Sequence, residues 1–180
     1  GDRLVTARTI NNPQRIEMSK VGDYYTFQPS TLDDASMIFA IREQGMNDVM
    51  WLASMEKIFV GTSTSEGQLG PRDKADPMTP ENRKYTSETA YGSGDVEPVR
   101  INDVVLFVNR SQERLHELAY NFEQDGYRAP DMTMFANHIL EGGISELAYL
   151  QLPWPMLFGV RADGQLVAFT YDRDQNVMAW

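Results

Sequence analysis

Short apolar runs separated by polar turns repeat along the chain, which is the pattern of β-strands. The clearest series lies at its C-terminal end, where four runs follow one another: Ser145–Gln151, Met156–Ala162, Gln165–Tyr171 and Asn176–Trp180. They are rich in Leu, Phe, Val, Thr and Tyr, which fit a pleated, half-buried surface. Four such strands with short connections predict one antiparallel meander, the form of a single β-propeller blade.

The connection between the second and third of these runs carries a hairpin signal. Asp163-Gly164 stands at the centre of Ala162–Gln165. A type I′ turn needs positive φ at both central residues, which Gly tolerates freely and Asp better than most residues. The pattern therefore predicts a type I′ turn.

Further strands are predicted upstream of this meander. They are Leu4–Arg8, Arg15–Ser19, Ser36–Ile41, Val49–Met55, Lys57–Thr62, Tyr85–Tyr91, Val99–Ile101, Val104–Arg110 and Arg114–Asn121. The polar, Gly- and Pro-containing stretch 64–80 predicts a long flexible loop. Val21–Tyr25 predicts an aromatic-lined turn.

One segment favours a short helix near 131–140. Asp131 can cap its start, and Met132, Phe135 and Ile139 recur at helical spacing before a Gly-Gly stop.

The strand groups recur at about 40 residues, the length of one four-stranded propeller repeat. The fold class is therefore mainly β, with a β-propeller-like arrangement of antiparallel four-stranded sheets. Four groups favour an arc of a larger propeller or a small sheet assembly. We expect residues 1–180 to form a single β-rich domain, or a domain fragment of a larger protein.

Charge and composition make several classes of function and site improbable for this chain. The chain has 26 acidic and 16 basic residues and a formal charge of −10, opposite to the balance that phosphate binding requires. It has no cysteine, which excludes disulfides and thiolate metal sites and fits a reducing cytosol. No apolar run reaches the length of a membrane-spanning helix. We therefore expect neither sequence-specific nucleic-acid binding nor membrane insertion.

The candidate chemical residues form no recognised catalytic or metal motif. His116 falls within a predicted strand and His138 near the end of the predicted helix, and no Ser-His-Asp grouping or HExxH pattern surrounds either. The carboxylate pairs Asp33-Asp34 and Asp125 with Asp131 raise a glycosidase hypothesis, but two carboxyl groups must face each other across the bond for that chemistry.

Two loop-like strings are also better explained structurally. Asp172–Asn176 has the start of a calcium loop without its Gly and Glu, so a polar turn is the simpler interpretation. Gly61–Gly67 lacks the Gly-Lys ending of a phosphate loop, so we expect a strand that runs into a loop. No catalytic, cofactor-binding or metal residue is predicted.

Several strings, taken in order, resemble a known family. They are Asn12–Ile16, Ser19–Tyr24, Val60–Ser63, Leu106–Arg110, Glu117–Tyr120, Asp125–Tyr127, Asp131–Thr133, His138–Ile139, Gly143–Ile144, Val160–Gly164, Thr170–Arg173 and Val177–Trp180. This series is similar to bacteriophage and prophage virion proteins of the tail or head–tail junction, described as tail hub, nozzle or packaged-DNA-stabilisation proteins.

The resemblance implies a structural protein without enzymatic activity or cofactor, rich in β-propeller structure. Its partners would be copies of itself, as a ring, and other tail or portal proteins around the DNA passage. It would be located in the virion, after assembly in the cytoplasm of the bacterial host. An acidic wall would then repel DNA over about a Debye length, 8–10 Å. One alternative is a glycan-binding or glycan-cleaving propeller module, and another is a protein-interaction propeller of a cellular assembly.

Aromatic residues on the predicted strands are expected in the core or between blades rather than in a ligand platform. They are Trp51, Tyr91, Phe107, Tyr120, Phe158, Tyr171 and Trp180. Exposed sheet edges are expected to be docking surfaces, because their unpaired N–H and C=O groups need partners.

Overall fold

The computed structural model describes residues 2–42, 47–73 and 75–180. It is mainly β, with 49% of residues in strands and 3% helical, which confirms the predicted fold class. The strands are β1 Val5–Thr9, β2 Asn12–Met18, β3 Met37–Ala40, β4 Val49–Ser54, β5 Ile58–Thr62, β6 Glu66–Gly70, β7 Lys84–Thr89, β8 Val99–Ile101, β9 Val104–Val108, β10 Leu115–Asn121, β11 Gly126–Arg128, β12 Ile144–Leu150, β13 Met156–Arg161, β14 Leu166–Asp172 and β15 Val177–Ala179.

These strands form four antiparallel sheets in chain order. The first sheet is β1-β2-β3, and the other three have four strands each, in the orders β4-β5-β6-β7, β11-β10-β9-β8 and β12-β13-β14-β15. Their first strands begin at Val5, Val49, Val99 and Ile144, so a sheet starts every 44 to 50 residues. This series of meanders is consistent with the predicted propeller-like class.

The chain divides into two compact units, residues 1–90 and 91–180. In the first unit, the two sheets share a core that includes Ile16, Met18, Met37, Val60 and Leu69. Strand β2 shows how this core arises, since Ile16 and Met18 are buried whereas Arg15 and Glu17, which alternate with them, are only half-buried. The predicted turn at 21–25 is present after β2.

The predicted loop 64–80 is wrong in its first part, because β6 occupies Glu66–Gly70. This strand pairs with β5 on one side and β7 on the other, and most of it is buried. The glycines that favour a loop serve close packing here: a Cβ at Gly67 would lie 2.5 Å from the Tyr85 ring and the Thr86 carbonyl oxygen. Within this range, Lys74 lies outside the described residues.

In the second unit, two sheets share a core that includes Leu106, Leu115, Ile144, Leu157 and Phe169. Strand β9 is buried at every position because it runs between β8 and β10 and both of its faces are covered. The C-terminal meander is confirmed: β12 to β15 pair in sequence, each within one residue of its predicted bounds. The short strand β11 was not predicted.

The β13–β14 hairpin does not use the predicted type I′ turn. Only Gly164 has positive φ, at 84°. The Gly164 N–H donates to the Arg161 carbonyl at 2.9 Å, and the Arg161 N–H donates to the Gln165 carbonyl at 2.8 Å. This is a three-residue loop closed by a Gly in the left-handed region, the next most common hairpin connection. Asp163 instead accepts the Gln165 N–H through its side chain.

The predicted helix near 131–140 is reduced to a 3₁₀ turn at Asn137–Ile139. A second such turn lies at Phe122–Gln124. The first residues of the predicted helix pair with the edge of a sheet. Asp131 forms an antiparallel β-bridge with His116, and the Met132 N–H donates to the Leu115 carbonyl at 2.8 Å. The Met132 carbonyl, which would accept the Ala136 N–H in an α-helix, accepts the Trp180 indole N–H instead, and the Ala136 N–H donates to the Thr133 carbonyl at 2.9 Å.

The predicted aromatic core is partly correct. Trp51, Phe107 and Tyr171 are buried. Tyr91 and Tyr120 are instead exposed, at 51% and 46%. Phe158 and Trp180 are half-buried; Trp180 stacks on Phe169 with ring centroids 4.6 Å apart and donates its indole N–H to the Met132 carbonyl at 2.9 Å.

Candidate functional site

A cleft of about 550 Å³ opens in the second unit where three connections meet. We call it the acidic cleft. It is formed by the β8–β9 turn at Asn102-Asp103, by the β12–β13 loop at 151–155, and by residues 171–174 at the end of β14. Concave sites of this size are where small ligands and side chains bind in proteins.

Local sequence fixes each of these three connections. Asn102 takes a positive φ of 52°, which Asn tolerates better than most residues, and so closes the tight β8–β9 turn. The Asp172 carboxylate accepts the Gln175 N–H at 3.0 Å and shapes the turn into β15. The Tyr171 N–H donates to the Pro155 carbonyl at 3.0 Å, which attaches the β12–β13 loop to β14.

A buried carboxylate holds two residues of the cleft lining, Tyr171 and Arg173. Glu117, on β10, is only 5% exposed, and its Oε2 accepts the Tyr171 hydroxyl at 2.7 Å. Its Oε1 lies 3.5 Å from Arg173 Nε, and Arg173 Nη1 lies 3.6 Å from Asp103 Oδ1. A buried charge is costly unless it is paired and hydrogen-bonded, so this network links the two sheets of the unit through Glu117.

The Tyr171 hydroxyl is a fixed donor in this network. Burial, and then the hydrogen bond to Glu117, raise the pKa of Tyr171 far above its ordinary value. The phenol therefore stays neutral at physiological pH and keeps donating to the carboxylate. It has no tendency to act as a base or nucleophile there, and its role is to hold the site in shape.

His116 lies beside Glu117 on β10 but in a different environment. It is 2% exposed, between Tyr91 at 4.4 Å and Phe107 at 5.4 Å (ring centroids). Its Nδ1 lies 2.8 Å from the Ala129 carbonyl oxygen, so we assign the proton to Nδ1, and Nε2 has no hydrogen-bond partner. Burial lowers the pKa of His116. It is a neutral core imidazole, whereas His138 is exposed.

The predicted carboxylate pairs each have structural partners. Asp131 accepts from Arg114 at 2.6 Å and from the Thr133 N–H at 2.7 Å. Burial alone would raise the pKa of Asp131, but these hydrogen bonds outweigh it and lower the pKa. Asp125 accepts the Tyr120 hydroxyl, and Asp34 forms an ion pair with Lys20 at 3.3 Å. Neither pair lines the acidic cleft.

The two strings that partly match a phosphate loop and a calcium loop are turns between strands. Gly61–Gly67 spans the end of β5, a short turn and the start of β6, so it is a β-hairpin rather than a strand that enters a loop. Asp172–Asn176 is the β14–β15 turn. Among residues 2–42, 47–73 and 75–180, no group of three or more His, Cys, Asp or Glu side chains is placed to hold a metal ion. In the same ranges, no helix is long and apolar enough to cross a membrane.

The first unit carries a separate pocket of about 510 Å³, which we call the aromatic patch. It is formed by Arg3, Leu4, Tyr24, Tyr25 and Phe27. Tyr25 is 95% exposed. The Arg3 guanidinium is used internally, since it donates to the carbonyl oxygens of residues 19 and 35 at 2.7 and 2.6 Å. The patch is thus an open aromatic surface on a rigid base.

Sequence reasoning missed Glu117 and Arg173 as site residues. The available signal was a glutamate inside a mostly apolar strand, Leu115–Tyr120, since such a glutamate is buried only when it is paired. No protein-family model matches the chain, and no curated protein matches it. The assignment of the site therefore rests on geometry.

Proposed function

We propose that this chain is a structural virion protein of a bacteriophage tail or head–tail junction. It assembles with copies of itself and with neighbouring tail or portal proteins around the DNA passage, and it has no enzymatic activity. The ordered strings from Asn12–Ile16 to Val177–Trp180 support this assignment. A protein built of repeated meander sheets suits a scaffold, in which rigid sheets carry loops that make the contacts.

The observation that carries the proposal is the set of large apolar side chains that connections of the second unit leave in solvent. Phe122 is 88% exposed, Phe135 97%, Leu152 75% and Trp154 70%. Leu152 and Trp154 lie in the connection that follows the half-exposed Leu150 at the end of β12, so three large apolar side chains are exposed within five residues. Exposed apolar stretches and aromatic anchors are features of protein–protein interfaces.

The formal charge of −10 is consistent with a DNA passage. A surface that DNA must pass rapidly should not bind phosphate, and carboxylates repel it over about a Debye length of 8 Å at physiological salt. A structure of the assembled particle in which this protein lines a basic lumen would contradict this part of the proposal.

Mass spectrometry of purified particles tests the proposal. Peptides of this chain should be recovered at a constant copy number relative to capsid and portal proteins. Trp154→Ala should lower incorporation of the protein into particles. Leu166→Ala, which truncates a 66% exposed side chain on the neighbouring β14, is the matched control and should incorporate normally. Absence from particles, with expression in infected or lysogenic cells, would refute the virion assignment.

The aromatic patch of the first unit favours a second candidate, a glycan-binding module. Tyr24 and Tyr25 are exposed side by side, and flat aromatic rings are suitable platforms for sugar rings. Titration with host surface oligosaccharides would show binding that Tyr25→Ala abolishes and Ile10→Ala, at a fully exposed apolar position in the same unit, leaves intact. No binding by the unsubstituted protein would exclude this candidate.

A further inference from the structure

We propose that the acidic cleft is a docking site for a basic, apolar-flanked polypeptide segment of a partner protein. A Lys or Arg side chain of that segment lies against Asp103, Asp172 and Asp174, and its apolar neighbours cover Tyr149 and Leu152. The charge and shape of the cleft are the same whether or not the protein is a virion component.

The charge of the lining selects a cation. Three carboxylates line the cleft, those of Asp103, Asp172 and Asp174, against one guanidinium, that of Arg173. Arg173 is already engaged by Glu117 and Asp103. The side chain of Asp103 is 83% exposed, so most of its surface is accessible to an incoming group. The uncompensated charge of the lining is therefore negative, and a cationic side chain is its complement.

The rest of the lining selects more than a simple cation. Ile101 and Val104 are buried beneath the cleft, and Tyr149, Pro153 and Pro155 form walls around it. Leu152 also lines the cleft, and the exposed Leu150 and Trp154 lie two residues before and after it in the chain. A small cation would leave these groups in water, whereas a polypeptide segment covers them and gains their burial.

Other occupants fit less well. A metal ion requires three or more ligands, and the described residues hold no such group of His, Cys, Asp or Glu side chains. A nucleic acid would bring phosphates to the carboxylates and would be repelled. A basic peptide meets both the charge and the apolar walls.

The cleft is organised before any ligand arrives. The Tyr171–Glu117 hydrogen bond fixes Tyr171 in its lining, and Glu117 with Asp103 holds Arg173. The Tyr171 N–H bond to the Pro155 carbonyl holds the loop wall. A site whose side chains are already ordered loses less entropy on binding, which favours affinity for a short segment.

The test uses the whole chain and defined peptide probes. N-acetylated and C-amidated Leu-Arg-Leu-Lys-Leu is titrated while amide chemical shifts are followed by NMR. Leu-Glu-Leu-Glu-Leu serves as the charge-reversed probe, and spermine as a cation without apolar groups. We expect the basic peptide to shift the amides of Asp103, Tyr149, Leu152 and Asp174, with affinity that falls as salt is raised. The acidic peptide should shift none of them.

Two triple variants with the same change in net charge isolate the cleft. Asp103→Asn, Asp172→Asn and Asp174→Asn together should weaken binding at least about tenfold, which corresponds to 1.4 kcal/mol. Asp2→Asn, Asp33→Asn and Asp76→Asn together, at exposed positions of the first unit, should leave binding unchanged. The amide that replaces the Asp172 carboxylate keeps an oxygen for the Gln175 N–H, so the turn is retained. Leu152→Ser tests the apolar wall and should also weaken binding.

Three results would overturn the proposal. One is no shift at the cleft with the basic peptide at about 1 mM, the weakest affinity of interest. Another is equal weakening by the control triple variant, which would mean that only net charge matters. The third is binding of spermine as tight as that of the peptide, which would mean a counterion site. Absence of the protein from phage particles would refute the virion assignment and leave these outcomes unaffected.

Discussion

The hydrogen bond between Tyr171 and Glu117 is expected to be one of the most important polar contacts of the second unit. Tyr171→Phe removes only the hydroxyl that donates to Glu117 Oε2 at 2.7 Å, and it keeps the ring that packs against Phe169. Because Tyr171 is 2% and Glu117 5% exposed, water cannot easily replace the lost donor. The substitution thus leaves a buried carboxylate oxygen without its hydrogen bond.

The expected loss follows from this geometry. Hydrogen bonds to charged groups contribute about 1.5–3 kcal/mol, and an unsatisfied buried group bears the full desolvation cost. Arg173 is a weak substitute, since it lies 3.5 Å from the other carboxylate oxygen and its side chain is 40% exposed. We therefore expect Tyr171→Phe to lower the free energy of unfolding by about 2 kcal/mol. For a chain of this size this lowers Tm by roughly 4–8 °C.

Urea denaturation at neutral pH measures this loss. Tyr149→Phe is the matched control, because Tyr149 is a half-buried tyrosine in the same unit, and its substitution should stay within about 0.5 kcal/mol. Glu117→Gln combined with Tyr171→Phe completes a double-mutant cycle, in which the two losses should be clearly non-additive. A loss for Tyr171→Phe no larger than that of the control would refute the importance of the buried pair.

Other contacts allow three more predictions. The raised pKa of Tyr171 means that its hydroxyl stabilises the fold fully below the unfolded pKa of about 10 and loses this effect as pH rises towards the folded pKa. Tyr171→Phe should therefore flatten the alkaline part of a stability–pH profile. The lowered pKa of His116 means that its contribution to stability is present above the unfolded pKa of about 6.5 and is lost as pH falls through the folded pKa. Tm should therefore drop less between about pH 7.5 and 5 in His116→Gln than in the wild type. Gly94→Ala should cost about 1–3 kcal/mol in urea denaturation, because its Cβ would lie 2.7 Å from a backbone carbonyl oxygen, whereas Gly126→Ala, with its nearest atom at 3.8 Å, should cost under about 1 kcal/mol.

Strand positions were largely readable from the sequence because they depend on local alternation. The predicted strands agree with the structure within three residues at either end. The errors fall where tertiary contacts decide the conformation. The helical spacing of Met132, Phe135 and Ile139 is real, but the backbone at Asp131 and Met132 pairs with β10 instead. Those sheet partners lie fifteen or more residues away in sequence, beyond the reach of a local pattern.

The candidate site was much less predictable than the strands. Its charged residues come from three separated segments, at Asp103, Glu117 and 171–174, which the sheet pairings of one unit bring together. The burial of aromatic residues was equally hard to predict from the sequence. Tyr171 is buried because it ends against Glu117, whereas Tyr120, also near the end of its strand, is 46% exposed and donates to a surface carboxylate. Period-two alternation alone does not distinguish the two.

Strand β6 offers a sharp test of how a glycine-rich segment joins a sheet. Glu66–Gly70 lies between β5 and β7 and is paired on both sides, so its amides should exchange with solvent slowly. Residues 75–78, in the connection that follows, should exchange faster by at least about a hundredfold, the ratio that corresponds to roughly 2.7 kcal/mol of local protection. Gly67→Ala should abolish this protection, because the added methyl would collide with Tyr85 and the Thr86 backbone. Exchange of Glu66–Gly70 as fast as that of 75–78 in the unsubstituted protein would mean that the segment is a loop after all, as its glycines and polar residues first indicate.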